Sequence, residues 1–95
     1  MNKSGLTNII CEKANLPKKK AKEVVDMIFD TMIGALLRDE RIEIRGLGSF
    51  SVRHYEAYTG RNPRTGESIE VKPKKLPFFK TGKELKEFVD SKDEI

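Results

Sequence analysis

Between Ala21 and Leu37 the apolar residues recur three and four positions apart: Ala21, Val24, Val25, Ile28, Phe29, Met32, Ile33, Leu36 and Leu37. That spacing predicts an amphipathic helix of nearly five turns with a broad apolar face. Met27 stands outside the stripe, which implies burial on more than one side, by a neighbouring helix and by a partner chain. A shorter helix is predicted from Lys3 to Ala14, with Leu6, Ile9, Ile10 and Ala14 on one stripe. Cys11 lies just off that stripe and reads as a small, semi-buried residue without chemistry. Asn15-Leu16-Pro17 interrupts the pattern, and Pro17 fits the first turn of the second helix, where its missing N–H costs nothing.

After Leu37 the period changes from helical to alternating. Arg41-Ile42-Glu43-Ile44-Arg45 and Ser49-Phe50-Ser51-Val52-Arg53 read as two strands joined by Gly46-Leu47-Gly48, a hairpin with one buried face anchored by Phe50. The stretch from Arg53 to Lys75 is too polar to make a core of its own. Its middle, Gly60-Arg61-Asn62-Pro63-Arg64-Thr65-Gly66, carries turn chemistry: flanking glycines able to take positive φ, and Asn before Pro. It reads either as a solvated loop or as the tip of a hairpin arm, with Arg53–Thr59 leading in and Glu67–Lys75 leading out, Ile69 and Val71 sharing a face. A two-stranded hairpin alone is marginal in water, so an arm implies an external partner that orders it. The chain returns through Lys72-Pro73-Lys74-Lys75 to Leu76-Pro77-Phe78-Phe79, with prolines suited to an edge or strand end. Thr81 and Glu84 have capping-box spacing ahead of Leu85, Phe88 and Val89, which predicts a short closing helix, after which a charged tail is expected to fray.

Composition narrows the possibilities. Ninety-five residues make one domain, and setting aside the arm leaves roughly 70 for a core, too few to cover these helices comfortably, so a dimer is expected. The formal charge is +4, and from Arg53 to Lys75 six Lys or Arg face three Glu, which favours nucleic acid or another anionic surface. Lys18, Lys19, Lys20 and Lys22 crowd the start of the second helix against its macrodipole, either as a solvated face or as phosphate contacts. One cysteine excludes an intrachain disulfide and a multi-cysteine metal site. The absence of a long apolar run argues against a signal peptide or membrane span, and an intracellular location is the default expectation. An enzyme fails on inventory: His54 is the sole histidine, no paired carboxylates or nucleophile constellation stands out, and Gly60–Gly66 lacks the P-loop ending. No cofactor, metal or small-molecule substrate is implied. Helix, turn and helix at the N-terminus resemble a helix-turn-helix, but no helix rich in base-reading side chains follows, which argues against major-groove readout.

Three ordered blocks, Arg45-Gly46-Leu47-Gly48-Ser49-Phe50, Gly60 to Gly66, and Pro77-Phe78-Phe79-Lys80-Thr81-Gly82-Lys83-Glu84-Leu85-Lys86, resemble the bacterial HU/IHF family of DNA-bending proteins across about residues 1–90. The resemblance implies an α+β fold: an intertwined dimer with a helix-turn-helix body, an antiparallel β-saddle, one long β-arm per chain spanning about 53–75, and a short C-terminal helix. It implies Phe29, Phe50 and Phe79 in the dimer core. It also implies a DNA-binding set of Lys3, Arg45, Arg53, Arg61, Asn62, Pro63, Arg64, Lys75, Lys80, Lys83 and Lys86. Arg61 and Arg64 would lie in or beside the minor groove and Pro63 would wedge between base pairs, as an apolar, rigid group without a donor can. On the residues alone, Pro63 reads equally as a turn proline. The partners implied are double-stranded DNA and either a second copy or a related subunit, in a cytoplasmic, nucleoid-associated setting.

Three positions depart from the family pattern. Tyr55 and Tyr58 stand where arginines are common, with Glu56 beside them, and Leu47 replaces a common phenylalanine. Arg41 to Gly46 is more similar to the IHF β-type subunit, with Arg45 following Glu43 along a strand face, which allows a sequence-preferring half of a heterodimer. An RNA or single-strand binder would need more aromatics on a sheet than Tyr55 and Tyr58 supply.

Overall fold

The computed structural model describes residues 1–91; the expected frayed tail lies outside them. The chain forms two compact units, Met1–Arg38 and a second beginning at Asp39.

The first unit is a helical hairpin of α1 (Lys3–Lys13) and α2 (Lys18–Leu37). Asn2 caps α1, its side-chain oxygen accepting from the Gly5 N–H at 2.8 Å. The helix ends as a Schellman-type turn: Asn15 takes φ 53°, and the Leu16 N–H reaches back to the Cys11 carbonyl at 3.1 Å. Cys11 is drawn into the same turn, its thiol donating to the Leu16 carbonyl at 2.9 Å. Pro17 is the N-cap of α2 and Lys18 its first helical residue, one position off the sequence expectation; the Pro17 carbonyl accepts from the Ala21 N–H.

The buried residues of this unit are Thr7, Ala21 and Val25. Thr7 was no part of the expected α1 stripe, whereas Ile9 and Ala14, which were, are exposed. The threonine is tolerated inside because its hydroxyl donates to the Lys3 carbonyl at 2.8 Å and leaves no orphan group. Asp26 takes ion pairs from Lys3 (2.9 Å) and Lys22 (2.8 Å). Hydrogen bonds from Lys22 and then Lys3 hold its carboxyl down at about 2, and the same pairing raises Lys22. A depressed carboxyl contributes stability above its ordinary value of 3.8 that is lost as pH falls toward 2.

The second unit contains β1 (Ile42–Ile44), β2 (Gly48–Tyr55), β3 (Tyr58–Arg61), β4 (Ser68–Val71), β5 (Lys74–Thr81) and α3 (Lys83–Asp90). β1, β2 and β5 make an antiparallel sheet in the order β1-β2-β5, and β3 pairs with β4 as a separate two-stranded ribbon. Register decides the faces. Ile42 opposite Phe50 opposite Phe79, Ile44 opposite Gly48, and Val52 opposite Pro77 make one apolar face, and Phe50 stacks on Phe79 with centroids 4.7 Å apart. Pro77 sits mid-strand, but β5 is an edge, where a missing donor is tolerated.

The expected capping box does not form. Thr81 is consumed as the last residue of β5, opposite Gly48, and Gly82 becomes the N-cap of α3 without a side-chain cap. The Gly82 N–H donates to the Leu47 carbonyl at 3.0 Å, which ties the start of α3 to the β1–β2 turn. The β1–β2 turn is closed by the Leu47 N–H on the Ile44 carbonyl, with Gly46 at φ 88°. Large apolar side chains stay open in both units: Met27 is 66% exposed, Leu37 81% and Phe88 65%.

Candidate nucleic-acid interface

The face of the three-stranded sheet opposite Phe50 is mixed, with the cations Lys80, Arg53 and Lys74 against the one carboxylate of Glu43. Row by row it carries Glu43, Ser49 and Lys80, then Ser51 and Phe78, then Arg53 and Leu76, then Tyr55 and Lys74. Arg53 is fixed there by chemistry that the sequence does not display. Its guanidinium carbon lies 3.4 Å from the centroid of the Phe78 ring, a cation–π stack that restrains the side chain and leaves its N–H donors free for an anion. Lys74 sits more loosely over Tyr55, at 5.7 Å.

Beside this face, Arg41, Glu43, Arg45, Ser49, Lys80 and Lys83 rim an open concavity of about 640 Å³ floored by Gly46, Gly48 and Gly82. Glu43 is neutralised by Arg41 at 3.0 Å; Arg45, expected on a strand face with it, lies in the turn that follows β1. Among the described residues no ion pair holds Arg45, Lys80, Lys83 or Lys86. Lys83 opens α3, where the dipole disfavours a cation.

The register puts Lys75 elsewhere: it faces His54, on the side of the sheet away from Arg53 and Lys80. His54 itself pairs with Asp39 at 2.9 Å. Lys3 is held by Asp26 in the helical unit.

The arm begins later than expected. Arg53, His54 and Tyr55 still pair with Leu76, Lys75 and Lys74 in the main sheet; the ribbon proper runs from Tyr58 to Val71 and is set off by Glu56-Ala57 on one strand and Lys72-Pro73 on the other. Gly60 supplies no positive φ. It is a strand residue opposite Ile69, and the reversal is made by Gly66 at φ 74°. Asn62 organises the tip. Its N–H donates to the Glu67 carbonyl, its carbonyl accepts from the Gly66 N–H, both at 2.8 Å, and its side-chain oxygen accepts from the Arg64 N–H at 2.9 Å. Pro63 and Arg64 are exposed in that loop, and Arg61 is exposed at the last pair.

Among the described residues no group of three His, Cys, Asp or Glu could hold a metal ion, and no helix is long and apolar enough to cross a membrane. The sequence profile described as "Bacterial DNA-binding protein" matches residues 1–90. DNA-binding protein HU 1 of Bacillus subtilis is 47% identical over 92 residues, 97% of this chain and 100% of that one. DNA-binding protein HU-1 of Halalkalibacterium halodurans is 47% identical over 90 residues, 95% of this chain and 100% of the relative. Among solved structures, an Anabaena HU–DNA cocrystal structure superposes with a TM-score of 0.79 at 37% identity, covering 94% of this chain and 97% of that one. HU from Thermotoga maritima gives 0.65 at 34% identity, covering 94% and 98%.

Proposed function

The chain belongs to the HU-type family of bacterial DNA-binding proteins, and from that premise we propose that it is an architectural protein: a dimer that binds double-stranded DNA in the minor groove and bends or compacts it with two β-arms. The observation that carries the reading is a sheet face with Arg53 stacked in place on Phe78 and Lys80 beside it, held by no ion pair among the described residues. Cations gathered without carboxylate partners repel one another, and phosphate relieves that cost. Lys83, at the positive end of α3, gains twice from a bound phosphate, through its own charge and through the uncapped helix N-terminus.

Phosphate contacts are assigned to Arg45, Arg53, Lys80, Lys83 and Lys86, groove contacts to Arg61, Asn62 and Arg64, and the wedge to Pro63. Lys3 joins them by exchanging Asp26 for a phosphate. Lys75 serves only where the duplex reaches the His54 side of the sheet. The two units act together as one domain with the arm as its extension, and the protein works in the cytoplasm on the nucleoid.

Affinity for random-sequence duplex should fall steeply with salt, the logarithm of the binding constant declining by about 0.9 per phosphate neutralised. Fluorescence anisotropy across a salt series measures this, and a flat response would remove the mechanism. Duplex should also outcompete single strands and RNA in the same assay.

The dimer reading rests on the apolar side chains left open at Met27, Leu37 and Phe88. Burying them, with Phe29, Phe50 and Phe79 at the centre of the joint core, links folding to association. The thermal midpoint should therefore rise with protein concentration. A folded monomer in sedimentation velocity at micromolar concentration would contradict it.

A further inference from the structure

We propose that Phe78 is a positioning residue for duplex binding: its ring holds the Arg53 guanidinium in place before DNA arrives, so that the arginine meets a phosphate with its side chain already ordered. The inference rests on the duplex-DNA reading above.

It starts from a ring that the core does not claim. Register sets Ser51 opposite Phe78 and Arg53 opposite Leu76, so Phe78 stands on the face away from the stacked pair Phe50 and Phe79. Arg53 is its diagonal neighbour across the sheet, within the reach of a long side chain. Phe78 is half-buried there, whereas Leu76, the next apolar residue on the same face, is 43% exposed. The guanidinium helps to cover the ring, its carbon lying 3.4 Å from the centroid.

A surface cation can be arrested by a carboxylate or by a ring, and the two leave different things for a phosphate. A carboxylate neutralises the charge and must be displaced; Lys3 on Asp26, at 2.9 Å, is that case in this chain. A ring attracts the cation through its quadrupole and takes up none of its N–H donors. Among the described residues no carboxylate pairs with Arg53, so the ring is what restrains it. The side chain is otherwise exposed and rich in rotamers, and freezing it at the moment of binding would subtract from affinity. Phe78 moves that cost to folding. Lys74 over Tyr55 repeats the arrangement on the next row of the same face, but at 5.7 Å, close to the ~6 Å limit of such contacts, so it is held more loosely.

The test is a double-mutant cycle. Duplex affinity is measured by fluorescence anisotropy over a salt series for the parent, Phe78→Leu, Arg53→Ala and the two combined, at a temperature where melting curves show all of them folded. Phe78→Leu should weaken binding about threefold to fivefold with the salt slope unchanged, because Arg53 still reaches its phosphate once bound. In the Arg53→Ala background the same substitution should change affinity by less than about 1.5-fold. Phe78→Tyr, which keeps the ring, should restore the parent's affinity. In the free parent the Arg53 δ-methylene protons should resonate upfield, as protons over a ring face do, and move back in Phe78→Leu. An equal loss with and without Arg53 would assign Phe78 to the sheet alone and overturn the proposal. Parent-like or tighter binding by Phe78→Leu would also overturn it, since the stack would then be idle or have to break for DNA. Should Phe78→Leu not fold, Phe78→Met runs the same cycle. A parent that fails to bind duplex removes the functional reading and this inference with it, whereas the other two failures leave that reading standing.

Discussion

Gly48→Ala should cost about 3 kcal/mol or more of folding stability, a large share of what a domain of this size has. Two effects add. The residue holds φ 151°, a conformation that side-chain-bearing residues avoid, and a β-carbon there would run into the backbone carbonyl oxygen of Lys80 and stand 3.0 Å from the Gly82 nitrogen and from the Phe79 ring. None of the backbone obstacles can swing aside, because Gly48 is paired opposite Thr81 and Gly82 is tied to Leu47. The same junction sets Lys80, Lys83 and the start of α3 around one concavity, so residual folded protein should also bind duplex more weakly. Gly66→Ala is the control: it too imposes a positive φ, 74°, but meets nothing within 4 Å, so about 1 kcal/mol of strain is expected, confined to the arm tip. Denaturant titrations of both variants at equal concentration decide the matter. A Gly48→Ala midpoint close to that of Gly66→Ala would mean that the β1–β2 junction is not the constraint described.

That junction also marks where sequence reasoning reached its limit. The glycines of Gly46-Leu47-Gly48 announce a tight connection, and alternation around Ile42, Phe50 and Val52 identifies the buried face, because both are local properties of the chain. What Gly48 must avoid is a carbonyl some thirty residues away, and no local pattern carries that. Thr81 and Glu84 show the converse error: the spacing is right for a capping box, but strand pairing with Gly48 claims Thr81 first, a tertiary demand overriding a local signal. Apolarity alone does not mark Thr7 as buried, because a hydroxyl bonded to its own helix can also go inside.

The candidate interface divides in the same way. The tip residues Arg61 to Gly66 are contiguous and their turn chemistry was legible, down to the role of Asn before Pro. The sheet face was visible only as scattered cations. Register sorted them, setting Arg53 and Lys80 on one side and Lys75 on the other, and register follows from a pairing between β2 and β5 that sequence spacing does not fix to the residue. The Arg53–Phe78 stack had one available signal, an aromatic next to the Phe79 anchor and therefore on the opposite face of the strand, but which cation it holds depends on a diagonal neighbour across the sheet.

Pro63→Ala should reduce DNA bending more than it reduces binding. The tip structure makes this a clean substitution: the three hydrogen bonds that close the turn use the N–H, carbonyl and side chain of Asn62 with Glu67, Gly66 and Arg64, and none involves Pro63. The loop should keep its shape while its exposed apolar point is lost. Affinity draws on many distributed contacts, the sheet cations among them, so one residue at the tip contributes little to it. A kink is different in kind, since holding a base step open works against an unstacking cost of a few kcal/mol and needs a rigid group that stays in the gap. Alanine is too small to hold it. Arg61→Ala should show the opposite emphasis, losing groove attraction with the wedge in place, and Asn62→Ala should weaken both, because it removes the side-chain bond to the Arg64 N–H while the two backbone bonds of the turn remain. Energy transfer between dyes at the two ends of a labelled duplex, read at saturating concentrations of each variant, separates bend from occupancy. If Pro63→Ala brings the ends as close as the parent does, Pro63 serves only the turn, and the bend must come from the sheet and the arms closing around an unkinked duplex.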